Sequence, residues 1–204
     1  MATLLQAIGE VLRPALVQRS PFRLEETDRG STCEAITLHK SGQAFLLKPD
    51  QSAGGVCPRG DCAFTFSTPN RLFPLFQTEV AGIAALCDYI VFCQENSRDD
   101  APLFVLLCEL KSGNVKGSRQ QIENGRLLAD YIVAMARYHR AVQPMPEVFL
   151  RGLIFSPTYS VPKGNLHKVR CKYAPLPKPP GGFADLLFAR YACGVGYPLE
   201  HFCA

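Results

Sequence analysis

Residues 87–111 read CDYIVFCQENSRDDAPLFVLLCELK. Two runs dense in aliphatic, β-branched and aromatic residues flank QENSRDDA, a polar stretch of turn composition. The pattern predicts an antiparallel hairpin. If it is symmetric about Arg98 and Asp99, Asp88 at the start of the first strand stands opposite Glu109 near the end of the second. Directly opposed side chains have Cβ atoms about 4.5–5.5 Å apart, so two carboxylates would lie side by side and repel. A divalent cation between them reverses the sign of that interaction. Alternation adds a third residue: Val105, Leu107, Glu109 and Lys111 share one face, and Phe104, Leu106, Cys108 and Leu110 the other. A Glu-x-Lys pattern at a strand tip is ordinarily a surface ion pair. The opposed Asp88 makes this one a candidate site.

Working outward, a helix is predicted over about Ser118–Arg140, with Ser118 placed to cap it. Its apolar stripe is Ile122, Gly125, Leu128, Ala129, Ile132 and Ala136, and Arg119, Arg126, Asp130 and Arg137 gather on the other side. Gln121 falls within the apolar stripe near the helix start, where a core-facing amide needs a hydrogen-bond partner. PEVFLRGLIFS then reads as a nearly continuous apolar strand of the kind buried inside a sheet. The order strand, strand, helix, strand predicts a mixed sheet with helices on both sides, the long helix forming the crossover.

The remaining segments are placed more coarsely. MATLLQAIGEVLRPALVQRS has its apolar residues at helical spacing and predicts an amphipathic first helix. CEAITLHK and QAFLLKPD predict short strands separated by a Ser-Gly turn, QSAGGVCPRGD a loop, and DCAFTFST a further strand. A helix is expected over about Leu72–Leu86, with Glu79 on its apolar stripe. HKVRCKY predicts a late strand, and FADLLFARYA, from Phe183, an apolar helix. No repeat or domain boundary is evident, so residues 1–204 are expected to form one domain with its core over about residues 72–156.

The composition, 47% hydrophobic and 20% charged, argues against wholesale disorder. No apolar run approaches the roughly 20 residues needed to cross a bilayer, and the start lacks the pattern of a secretory signal, so a cytoplasmic protein without a membrane partner is expected. Nine cysteines, several within apolar runs, suit buried free thiols in a reducing compartment. Cys57 and Cys62 form the closest pair, with no second pair of matching spacing to complete a zinc site. The net charge of +4 permits nucleic-acid binding without demanding it. Its distribution is more telling: PKGNLHKVRCKYAPLPKPP carries Lys163, Lys168, Arg170, Lys172 and Lys178 with no acidic residue. A solvated surface is the ordinary reading of such a run, and contact with a phosphate backbone the functional one.

With these residues in hand, the chain resembles the PD-(D/E)xK nuclease superfamily. The matching pieces are Asp88 in CDYIVFC, Glu109 and Lys111 in LLCELKSGN, and Gln121 in SRQQIENGRLLADYIV, spanning roughly Leu72 to Ser156. Cys87 stands where the motif has its proline. The resemblance implies an α/β, restriction-endonuclease-like fold, a mixed β-sheet flanked by helices with an αβββαβ core. It implies a Mg²⁺-dependent nuclease hydrolysing phosphodiester bonds, a DNA endonuclease of bacterial restriction, repair or anti-phage defence. Asp88 and Glu109 would hold one or two Mg²⁺ (or Mn²⁺) ions, joined by the backbone carbonyl of Leu110, with Glu79 as a further candidate ligand. Lys111 would serve the attacking water or the phosphate, and Gln121 would support the site. Lys163, Lys168, Arg170 and Lys172, with Arg119 as a further candidate, would contact the DNA backbone. The small size favours a homodimer or a subunit of a larger complex. Two other readings stand beside this one: a non-catalytic binding or assembly module, and a nuclease acting on RNA.

Overall fold

A computed structural model of the chain describes residues 3–26, 30–39, 42–49, 82–83, 85–95, 98, 100–140, 142, 145–161, 164, 166, 170–176 and 182–204. The expected strand DCAFTFST, most of the expected helix over 72–86, Cys57, Cys62, Glu79, Lys163, Lys168 and Lys178 lie outside these residues.

Helix α1 spans Leu4–Val11 and is closed at its start by a reciprocal cap between Thr3 and Gln6. It is much shorter than the helix the first twenty residues predict. Pro14 opens a 3-10 turn over Pro14–Leu16, and the chain continues as strand β1, Val17–Gln18. Next come β2 (Phe22–Leu24), β3 (Ile36–His39), β4 (Gln43–Leu47), β5 (Tyr89–Gln94) and β6 (Leu103–Leu110). Helix α2 covers Ser118–His139, followed by β7 (Val148–Phe155), β8 (Leu187–Tyr191), β9 (Gly196–Pro198) and a 3-10 turn over Leu199–Phe202.

Six strands form one sheet in the order β1-β4-β5-β6-β7-β8. Strands β4, β5 and β6 are antiparallel, whereas β7 lies parallel to β6 and β8 parallel to β7. The hairpin register matches expectation. Tyr89 faces Cys108 and Ile90 faces Leu107, and the same register carried one residue outward sets Asp88 against Glu109. Alternation also holds: Leu103, Val105 and Leu107 pack with Ile90, Phe92 and the two helices, while Phe104, Leu106, Cys108 and Leu110 pack in a second core. Every residue of β6 is buried, because both faces of the strand are covered.

The layers differ from expectation. Helices α1 and α2 lie on the same face, sharing a core with Phe45, Ile90, Val105 and Ile154. The opposite face is covered by a three-stranded sheet, β2-β3-β9, through Phe22, Leu24, Ile36, Leu38 and Tyr197. The two strands flanking the Ser-Gly turn, β3 and β4, therefore belong to different sheets.

Three further expectations are corrected. FADLLFARYA contains an edge strand rather than a helix: Leu187–Tyr191 docks beside β7, sending Phe188 to the helical core and Ala189 and Tyr191 to the other. In HKVRCKY the described residues form no strand, and the nearest pairing is a single bridge from Ala174 to Phe188. The residues before Asp88 are not a helical end: Gly82 has φ +80°, and Asn124 of α2 donates to the carbonyls of Gly82 and Ala85, each at 2.7 Å.

Candidate active site

The site lies where β6 leaves the sheet, on the helical face. The apolar stripe of α2 is buried as expected, and Gly125 sets how closely the helix approaches. A Cβ at Gly125 would lie 2.4 Å from Cys87 Sγ, so only glycine lets α2 rest on the residue preceding Asp88. The helix begins from Gly117, whose left-handed φ of +87° turns the chain into it without a side-chain cap. Ser118 is thus the first helical residue rather than the cap, and its buried hydroxyl has no partner among the described residues.

One turn into α2, Gln121 projects over the end of β6. Its Oε1 accepts a 2.7 Å hydrogen bond from Lys111 Nζ, and its Nε2 donates to the Leu86 carbonyl at 3.4 Å. Lys111 Nζ also lies 2.6 Å from Glu109 Oε1. Across the hairpin, Asp88 Oδ2 accepts a 2.7 Å hydrogen bond from the Leu110 amide. The structure therefore brings Asp88, Glu109, Lys111 and Gln121 together around the main chain of Leu110.

The electrostatics are unfavourable for two bare carboxylates. Glu109 is 1% exposed; the Lys111 ammonium lies 2.6 Å from its Oε1, and the Lys111 side chain and the Asp88 main chain are the donors that favour its charged form. Burial, with the neighbouring Asp88 charge, pushes the Glu109 carboxyl up to about 8 against the opposing pull of Lys111. Burial also raises Asp88, to about 6, although the Leu110 amide and Lys111 favour its charged form. Among the described residues no three His, Cys, Asp or Glu side chains form a metal-holding cluster. The candidate metal centre thus rests on two carboxylates and what the main chain or solvent adds. Their chemistry fits a hard divalent cation, because two buried carboxyls side by side offer hard oxygen ligands whose mutual repulsion such an ion offsets.

Two residues that sequence reasoning missed carry charges felt at Asp88. Glu26 raises its pKa and Lys48 opposes that rise. The Tyr89 hydroxyl donates to the Glu25 carbonyl at 2.8 Å and accepts from the Glu25 amide at 2.9 Å, which holds the neighbouring Glu26 beside the site. Glu26 Oε2 in turn accepts from Ser112 Oγ at 2.8 Å and from the Ser31 hydroxyl, bracing the residue after Lys111. Lys48 follows β4 and lies 5.5 Å from the Tyr89 ring centre. No local pattern marks Glu26 or Lys48, since both arrive through contacts distant in sequence.

Of the expected basic contacts, the three that are described, Arg119, Arg170 and Lys172, do not join this cluster. Arg119 is a cross-brace: it pairs with Glu123 at 2.8 Å, donates to the carbonyls of Leu176 and Phe183, and stacks on Phe188. Arg170 pairs with Glu95 and donates to the Cys203 carbonyl at 2.8 Å, at the far end of β5. Lys172 is exposed next to Cys171, which belongs to the core on the other side of the sheet. Seven described cysteines are free thiols, six of them buried.

No described helix is long and apolar enough to cross a membrane. No family model matches the chain, and neither the curated proteins nor the solved structures contain a significant match.

Proposed function

We propose that the protein is a Mg²⁺-dependent nuclease of the restriction-endonuclease-like type that hydrolyses phosphodiester bonds in DNA. The observation that carries this reading is Glu109: a carboxyl 1% exposed at the end of an otherwise apolar strand, set beside a second carboxyl, with the Lys111 ammonium against it. A stability-driven sequence would place an apolar residue there, as at every other position of β6. The succession β4, β5, β6, α2, β7, three antiparallel strands followed by a helix and a parallel strand, supports the fold assignment.

Asp88 and Glu109, with the Leu110 carbonyl, are the groups that would hold the ion. When bound, Mg²⁺ would polarise the phosphate and lower the pKa of a coordinated water. The protein's own residues set the rest. Gln121 and Glu109 fix the Lys111 ammonium at the solvent-facing edge of the carboxylates, where it meets a phosphate oxygen or orients the attacking water. Ser112, held by Glu26 and Thr32, prevents the strand end from drifting. In the proposed reaction water adds to phosphorus as the phosphorus–oxygen bond of the leaving nucleotide breaks, and the leaving oxygen takes up a proton.

The test is incubation of the purified chain with supercoiled plasmid and with RNA, in Mg²⁺ and in EDTA. Mg²⁺-dependent nicking of the plasmid is expected, falling about 100-fold or more in Asp88→Ala and Lys111→Ala. Nicking that survives EDTA or both substitutions would sink the assignment. Cleavage confined to RNA would keep the chemistry and replace the substrate.

A further inference from the structure

The site continues sideways across the sheet. Glu109 on β6 is in register with Ile154 on β7, and Ile154 with Arg190 on β8. Paired residues of adjacent strands project to the same face, and Ile154 belongs to the helical core, as does Phe188 two residues before Arg190. Arg190 therefore points to the same side of the sheet as Glu109. Two interstrand steps of about 4.8 Å set their backbones roughly 10 Å apart. Arg190 is exposed, and unlike Arg119, Arg126 and Arg170 it forms no ion pair among the described residues.

Its partner is aromatic. The Arg190 guanidinium lies 5.7 Å from the Tyr159 ring centre. Tyr159 is fixed by the turn that ends β7: its amide donates to the Ser156 carbonyl at 3.2 Å, and the Ser156 amide donates to the Tyr191 carbonyl at 3.0 Å. The ring also packs on the helical core. A guanidinium resting on a ring keeps its in-plane donors free for a planar or tetrahedral anion.

We propose that Arg190, seated on Tyr159, is a phosphate-binding residue that holds the DNA backbone beside the carboxylate centre. The proposal rests on the nuclease reading and adds where the substrate lies: along the ends of β6, β7 and β8. B-form DNA carries one phosphate per about 3.4 Å of axis on each strand, so a separation of roughly 10 Å places the contact within about three nucleotides of the reacting bond.

The full chain is tested for binding to two duplexes of unrelated sequence by fluorescence anisotropy over a salt series without Mg²⁺. Arg190→Gln is expected to weaken binding to both about tenfold and to lower the salt slope by about one. Arg190→Lys should restore the slope, because it restores the charge, and Tyr159→Leu should give a smaller loss than Arg190→Gln. Melting temperature and Mg²⁺ binding by calorimetry should not change in Arg190→Gln. Unchanged affinity and slope in Arg190→Gln, with the wild type binding normally, overturns the assignment and leaves the nuclease reading standing. A loss confined to one sequence overturns it too, since it would indicate a base contact. A wild-type chain with no affinity for DNA at low salt overturns both.

Discussion

Gln94 and Glu109 are nearly equally buried, at 2% and 1% exposure, at opposite ends of the same hairpin. At the Gln94 end the polar group is neutral and satisfied, its amide donating to the Ala101 carbonyl at 2.8 Å. At the Glu109 end the group is an acid facing another acid, and the Lys111 ammonium and the Asp88 main chain do not offset the cost of its burial. The first arrangement stabilises the turn. The second opposes folding, and under the proposed function a bound cation offsets it. The difference separates a polar group that the fold satisfies from one whose burial the fold leaves costly.

The largest expected effect is on catalysis: Glu109→Gln preserves shape and should reduce plasmid nicking about 100-fold or more, whereas Gln94→Ala should leave nicking by the folded protein unchanged. Stability should move the opposite way. Both carboxyls titrate above their usual range, Glu109 at about 8 and Asp88 at about 6. The folded chain therefore holds protons that the unfolded chain has released. The contribution of these two carboxyls to stability is greatest at low pH, falls as pH rises through the ordinary carboxylate range, and levels off above about 8. In metal-free buffer Glu109→Gln should be more stable than wild type at pH 8 by an amount on the order of a few kcal/mol, the gain disappearing near pH 4. Chemical denaturation at the two pH values measures this. Gln94→Ala should lower stability by about 1–3 kcal/mol at both, because the Ala101 carbonyl loses its donor.

A mechanical link gives a smaller effect. Gly125→Ala places a methyl against Cys87 and should lift α2, costing about 1–3 kcal/mol in melting experiments and loosening the Lys111–Gln121 hydrogen bond. The smallest effect is expected at Lys172: Lys172→Ala should change DNA affinity by less than Arg190→Gln in the same anisotropy assay.

The site was legible in the sequence where it depends on local order. Hairpin symmetry placed Asp88 opposite Glu109, alternation aligned Lys111, and helical periodicity brought Gln121 over them; each follows from fixed repeats of backbone geometry. What escaped depends on long-range docking. Leu187–Tyr191 is short and apolar, and whether it becomes helix or strand is decided by the open edge of β7 rather than by its own pattern. The charge of Glu26 is felt at Asp88 because the Tyr89 hydroxyl grips the Glu25 backbone, and that of Lys48 because β4 pairs with β5. Arg119 has the exposed-face spacing of a DNA contact, yet the chain around Leu176 and Phe183 returns to cover it. The start of α2 depends on the left-handed backbone at Gly117, while the serine beside it has the composition of a cap.

The central claim is that Asp88 and Glu109 form a divalent-cation site. Isothermal titration of the metal-free chain with Mg²⁺ at pH 7.5 tests it most directly, with Glu109→Gln and Asp88→Asn run in parallel. Saturable binding by the wild type, with proton release as the raised carboxyls ionise and with neither variant binding, is the predicted result. Absence of binding by the wild type, or equal binding by all three proteins, would contradict the account.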